Sequence, residues 1–502
     1  MNRPVSTLPE YFALKSKSNG KYLKYRRDDP KARAVLQFSG DELVDVLVKF
    51  FSDGVTGHDG GSSTTYHLRC CYNKKYWQKA SQGESLIIGG GDTPDDNSTK
   101  WSCTLFRPEF QEEGVARLVH VQSGGYLGRG SSDPAAGPDC LIVVAAAERA
   151  EVCEVVNYRE AVVTLPKLVA FKGDNGKYLK ASHIKPIIMQ GGMLKMNAPT
   201  YKTLQFTGEK LSDPSVSHEV FVNPADATIS IKSGSGGDKG FWRRNEYVEN
   251  RIFLVESESD RPDFHDKETL FKVHRLHPSE PLYGLTSCGA NNMPCKRVDH
   301  PTYRHCLRAQ DVDVEPYNKL LVEEPIVWRR MYEADFKTAD ARVYPVEQPK
   351  VEVLIHPNET TQVSKVKVQV GKTESHATSW SNSYGWKIGG SVELTTDFTG
   401  IPLVKEAKVV VSGEHSEEKT EGGSQEESKS SAVEVEIPVP PKKQLRITTT
   451  VTKTACDVPF DYSYTEMRHD GTTADLRVQD GLFTTTTSTT VVATKEEELG
   501  TK

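Results

Sequence analysis

The residues with the most chemical character fall into three groups. Cys288, Cys295, His300, His305 and Cys306 are metal-ligating types, and the glycine run 89–91 could bend around a phosphate. Neither has the setting its chemistry needs: structural zinc takes paired cysteines, and a phosphate cradle takes a strand, a loop and a helix in succession. No Walker loop, nucleophile elbow or HExxH pair occurs, so no catalytic residue, metal or cofactor is expected. Acidic residues are plentiful, 69 Asp and Glu, but nothing places two of them in one cleft as glycoside hydrolysis requires.

A second group suits recognition instead. A sugar presents an apolar C–H face and many hydroxyls, so its site needs an aromatic ring beside short polar side chains. Asn73, Tyr76 and Trp77, with Asp95 and Asn97 farther along, supply those types, and Phe241, Trp242 and Arg243 stand in the equivalent place of an internal repeat. Residue type alone favours a plainer alternative, in which these rings pack a hairpin or a core.

A third segment has the pattern of membrane insertion by strands. Across residues 391–411, Val392, Leu394 and Phe398 alternate with Glu393, Thr395 and Asp397, and Ala407, Val409 and Val411 alternate with Glu406, Lys408 and Val410. One apolar and one polar face is what a lipid-facing, water-filled barrel needs, and each arm has about the ten residues that cross a bilayer when tilted. The tip, Ile401, Pro402, Leu403 and Val404, is apolar where a soluble turn would be polar. An ordinary solvent-facing hairpin with a buried tip is the alternative.

These residues must be carried by β structure. Residues 12–24, FALKSKSNGKYLK, recur as 169–180, VAFKGDNGKYLK, and LQFSG at 36–40 recurs as LQFTG at 204–208, so one fold is present twice. Within each copy, alternating segments around Gly/Asn turns recur at 67–77, 119–127, 229–243 and 271–285, which read as hairpins. Three hairpin units per copy predict a β-trefoil. The best helical turn, 41–51, puts Leu43, Leu47 and Phe50 on one face and is expected to pack the core. From about residue 343 the chain turns to long alternating Ser, Thr, Val, Lys and Glu runs.

A chain of 502 residues exceeds one core, and three units are expected: 1–160, 161–325, and 346–502, with 326–345 as linker. The fold class is all-β: two tandem β-trefoils and an elongated β module. The balance of 63 basic to 69 acidic residues leaves no stripe for nucleic acid. An odd nine cysteines and an N-terminus without a signal-like apolar core suggest a cytoplasmic or nucleocytoplasmic chain, membrane-inserted once assembled.

Residues 1–325 resemble the amaranthin-type lectins of plants, most sharply at Asn73, Tyr76 and Trp77 and along 94–108. The resemblance implies glycan binding, with N-acetylgalactosamine preferred, at a shallow cleft between paired chains. Against the family pattern Lys74 and Lys75 add a residue inside the motif, a departure that bears on specificity. Most of 345–502 resembles the aerolysin family of pore-forming toxins, in which an Ile or aromatic residue beside Pro-Leu-Val forms the hairpin tip. That resemblance implies a homo-oligomer inserting a β-barrel, here in plant defence; a defence or stress lectin whose third module only oligomerises it is the alternative.

Overall fold

The computed structural model describes residues 7–27, 34–55, 64–130, 137–184, 188–190, 193–195, 201–233, 239–246, 251–255, 260–277, 280–300, 303–309, 318–347, 349–370, 372–382, 392–394, 409–411, 422–430 and 433–498. Among them, six strands of the first copy close into a barrel: Tyr11–Ser16, Phe50–Val55, Thr65–Cys70, Leu105–Glu112, Val115–His120 and Cys153–Asn157. Each pairs with the next, and the last returns to the first. Three hairpins cap one end, Tyr22–Tyr25 with Leu36–Gly40, Tyr76–Lys79 with Ile87–Gly91, and Tyr126–Gly130 with Cys140–Val144. Barrel plus hairpin triplet is a β-trefoil.

The second copy repeats the plan. Its barrel runs through Leu168–Lys172, His218–Val222, Ile229–Ser233, Phe271–Arg275, Leu282–Ser287 and Leu320–Glu323. Its capping hairpins are Tyr178–Ile184 with Tyr201–Gly208, Gly240–Asn245 with Arg251–Val255, and Met293–His300 with Tyr303–Ala309. The turn expected at 41–51 is a short 3-10 segment, Val46–Val48, capped by the Asp45 carboxylate, with Leu43, Leu47 and Phe50 buried. Leu43 and Val44 donate backbone hydrogen bonds to the carbonyl of Pro224, joining the two copies.

The cores follow from the threefold pattern. The first strand of each capping hairpin sends one side chain inward, so Leu23, Trp77 and Leu127 share one core, and Leu179, Trp242 and Cys295 share the other. Close packing of this kind makes large-to-small changes costly.

The third module is a long hairpin with strands hung on both flanks. Lys443–Arg468 pairs with Thr473–Glu498 in antiparallel register; 26 residues span roughly 85 Å at strand rise. Ile326–Phe336, Arg342–Pro345 and Lys350–Pro357 line one flank, and Lys372–Asn382 followed by Gly422–Ser430 the other. Residues 326–345, expected as a linker, therefore supply strands to this sheet. A small hairpin, Ser364–Val370 with Val433–Val439, packs Val366 and Ile437 against Leu445 and Ile447 at the far end.

One buried histidine ties the second trefoil to pH. His218 is fully enclosed; its Nε2–H donates to the Leu179 carbonyl at 3.0 Å, which leaves Nδ1 to accept from Ser233 Oγ at 2.9 Å. Ser233 Oγ in turn accepts from Trp242 Nε1 at 3.1 Å. Burial lowers the imidazole pKa to about 4, against the smaller opposing pull of the Leu179 carbonyl. The folded state thus favours neutral His218, and stability present above the unfolded value near 6.5 is lost as pH falls towards 4. A loss of about 3 kcal/mol across that window is expected in urea titrations. His218→Gln should flatten that part of the profile, and an unchanged profile would refute the linkage.

Candidate functional site

The expected sugar platform is not at the surface. Trp77 is fully buried and makes edge contacts with Phe50 at 4.8 Å and Phe106 at 5.9 Å, and Trp242 is packed the same way against His218 and Phe271. Both rings are core residues because they occupy the inward position that Leu23 and Leu127, or Leu179, fill in sister hairpins. Asn73 is also buried; its Oδ1 accepts from the Lys75 amide at 3.1 Å and shapes the turn before the strand. Phe241 lies against Phe221 at 5.7 Å, nearly covered. Arg243 is half-exposed, but its guanidinium is paired with Asp266, the residue that caps the 3-10 turn Lys267–Thr269.

What does reach the rim of the first trefoil is a turn and the side chains behind it. Asp95 spends its carboxylate inside that turn, accepting from the Asn97 amide at 3.0 Å and from Ser102 Oγ at 2.8 Å. Asn97 Oδ1 accepts from the Thr99 amide and hydroxyl. These are local bonds of turn formers, two to backbone amides and two to hydroxyls, and they fix Asp96, Asn97 and Thr99 in the open. Behind them His67 is buried between Asp96 Oδ1 at 2.7 Å and Thr104 Oγ1 at 2.7 Å, with the edge of Tyr76 beside it. Tyr76 itself is roofed: the Arg342 guanidinium of the third module lies 5.3 Å from its ring centre. Of the sequence-predicted residues, Asp95 and Asn97 share this turn, whereas Tyr76 lies buried behind His67 and Trp77 and Trp242 lie in the two cores.

A family model of the Agglutinin domain matches residues 6–152 and 163–277. The chain belongs to the Agglutinin domain family. No curated protein sequence matches it. Similar solved structures include the hemolytic lectin CEL-III, 9% identical over 99% of this chain and 95% of that one, TM-score 0.27. An aerolysin-like protein from Bombina maxima is 12% identical over 32% of this chain and 99% of that one, TM-score 0.20. A mosquitocidal holotoxin is 9% identical over 66% of this chain, which spans 36% of the holotoxin, TM-score 0.28. The fold assignment rests on the strand pairings described above.

The first agglutinin domain is bolted to the β module by a buried polar contact that no sequence motif announced. Asp340 accepts from Tyr25 Oη at 2.8 Å and from Tyr72 Oη at 3.2 Å. Burial, and then the Asp340 charge, push both phenols well above their ordinary value, so they remain donors. Beside them Arg27 reaches Asp461 at 3.1 Å, and Arg342 donates to the Asp92 carbonyl at 2.7 Å and contacts Asp457 at 3.4 Å. Leaving such groups unpaired in a buried contact is costly, which is what makes the joint specific.

Of the expected insertion hairpin, two short paired segments are described. Val392 stands opposite Val411, Glu393 opposite Val410 and Leu394 opposite Val409, beside strands Ile326–Phe336 and Gly422–Ser430. Directly opposed residues lie on one face, so the apolar positions of both arms coincide. Phe398, Ile401, Pro402, Leu403, Val404 and Ala407 lie outside the described residues. Among the described residues no helix is long and apolar enough to cross a membrane.

Two substitutions check these assignments. Trp77→Ala should lower stability in urea by about 3–5 kcal/mol, the cost of emptying a core position, whereas a surface platform would lose binding with stability intact. Asp340→Ala strands two buried phenols and should cost about 1–3 kcal/mol, with Asp340→Asn milder because one acceptor oxygen remains. An unmoved midpoint in Asp340→Ala would remove the clamp.

Proposed function

We propose that this chain is a carbohydrate-binding lectin that docks on galactose- or N-acetylgalactosamine-containing glycans. Once docked, it oligomerises into a transmembrane β-barrel pore, in the manner of a plant defence protein. The observation that carries the reading is the register of the paired segments 392–394 and 409–411, which aligns the apolar positions of two arms leading to the apolar tip 401–404. The module is joined to two agglutinin domains, so a docking surface and an insertion element share one chain.

The sugar-facing element would be the open turn with Asp96, Asn97 and Thr99, backed by the buried Tyr76 ring, with Asp95 and His67 as positioning residues. Short polar groups beside one ring are what a hydroxyl-rich ligand needs. Two linked domains raise the effective concentration of the second contact once the first is made, which concentrates chains on a glycosylated surface.

A lone hairpin would leave its edge amides unpaired in lipid, so the pore reading requires a ring of chains. The lumen would carry Glu393, Asp397, Glu406 and Lys408, which set its ion preference. Nine free thiols fit synthesis in a reducing, cytoplasmic or nucleocytoplasmic compartment.

Dye release from liposomes with and without N-acetylgalactosamine glycolipid checks the reading, using wild type beside Leu403→Asp. Release from the glycan-bearing vesicles should be lost in Leu403→Asp while glycan binding persists. No release from wild type, with binding retained, would leave a lectin whose third module only assembles chains.

A further inference from the structure

Strand register places Tyr11 opposite Phe51 and Phe51 opposite Arg69, so three neighbouring barrel strands of the first agglutinin domain present these side chains in one row. The Tyr11 and Phe51 rings meet edge to face at 5.3 Å. The Arg69 guanidinium lies over Phe51, 4.1 Å from its centre, and the Lys49 ammonium lies 4.9 Å from the centre of Tyr11 and 5.0 Å from that of Tyr158. The three row members and Lys49 are half-buried. They floor a cleft of about 160 Å³ whose far wall is Asp480 and Leu482 of the β module.

The charges of this cleft do not cancel. Glu10 is paired with Arg159 at 3.2 Å, and the single Asp480 carboxylate in the wall is outnumbered by the Lys49 and Arg69 cations. Lys74 contacts Asp457 at 3.8 Å. Lys49 and Arg69 have no carboxylate at ion-pair distance among the described residues. Stacking on rings fixes where both cations sit without using their N–H donors, and a stacked guanidinium keeps an edge that grips an oxyanion with two parallel hydrogen bonds.

A cleft of this size admits a single ring with its substituents. We infer that it holds the acidic group of an anionic sugar, a carboxylate or sulfate ester on a galactose-type ring, with Arg69 and Lys49 on the oxyanion and the edges of Phe51 and Tyr11 against the ring. The inference rests on the lectin reading above and adds a second ligand class on a face separate from the Asn97 rim.

Isothermal calorimetry of the full chain with galacturonate, galactose 6-sulfate and galactose tests it, alongside flotation with phosphatidylserine vesicles. Both acidic sugars should bind about tenfold tighter than galactose, the scale of a hydrogen bond to a charged group. Arg69→Gln and Lys49→Gln should each abolish that preference without changing galactose affinity or the thermal midpoint. Equal affinity for acidic and neutral sugars, or a preference that survives both substitutions, overturns the inference and leaves the lectin reading standing. Binding confined to phosphatidylserine vesicles assigns the cations to lipid and also overturns it, and absence of binding to any sugar removes both readings.

Discussion

Each amide and carbonyl of a strand needs a partner, and in the third module one hairpin meets most of that demand. Lys443–Arg468 and Thr473–Glu498 pair from end to end, and the flanking strands attach to their outer edges. Without that pairing the flanking strands would have no common sheet. The same spine presents Asp461 to Arg27 and Asp457 to Lys74 of the first agglutinin domain, so the joint between domains is built on the sheet's own backbone.

The duplication was legible because trefoil cores repeat chemistry as well as length. The recurrent Tyr-Leu of 22–23, 126–127 and 178–179 puts the leucine in the main core each time, while Tyr22 and Tyr178 sit in smaller buried clusters beside it. Tyr76-Trp77 and Phe241-Trp242 are the same dipeptide with a larger core member. Aligned hairpin by hairpin within a copy, both tryptophans fall on the inward position, in line with the packing that residue type alone favours. Asp95 and Asn97 carried a second legible signal: each is a turn former bonding two residues onward, which makes them scaffolding before they are ligands.

Two features had no local trace. Residues 326–345 lack clean alternation because the pairing of Ile326–Phe336 shifts register twice, at Ile326/Trp328 and at Tyr332/Ala334, and each shift breaks the period of two. The clamp of Tyr25, Arg27 and Tyr72 on Asp340 and Asp461 joins residues hundreds apart in sequence, each an unremarkable polar type where it stands. Pairings of that kind are set by docking, not by propensity.

The guanidinium of Arg342 covering Tyr76 has a thermodynamic corollary. A ligand that needs the bare ring must work against the docked module, so its affinity is lower by the free energy of lifting that cover. Reciprocity then holds without further assumption: the ligand loosens the module by the same amount that the module weakens the ligand. Ligand binding that uncovered this ring and docking of the module would therefore oppose each other in one equilibrium.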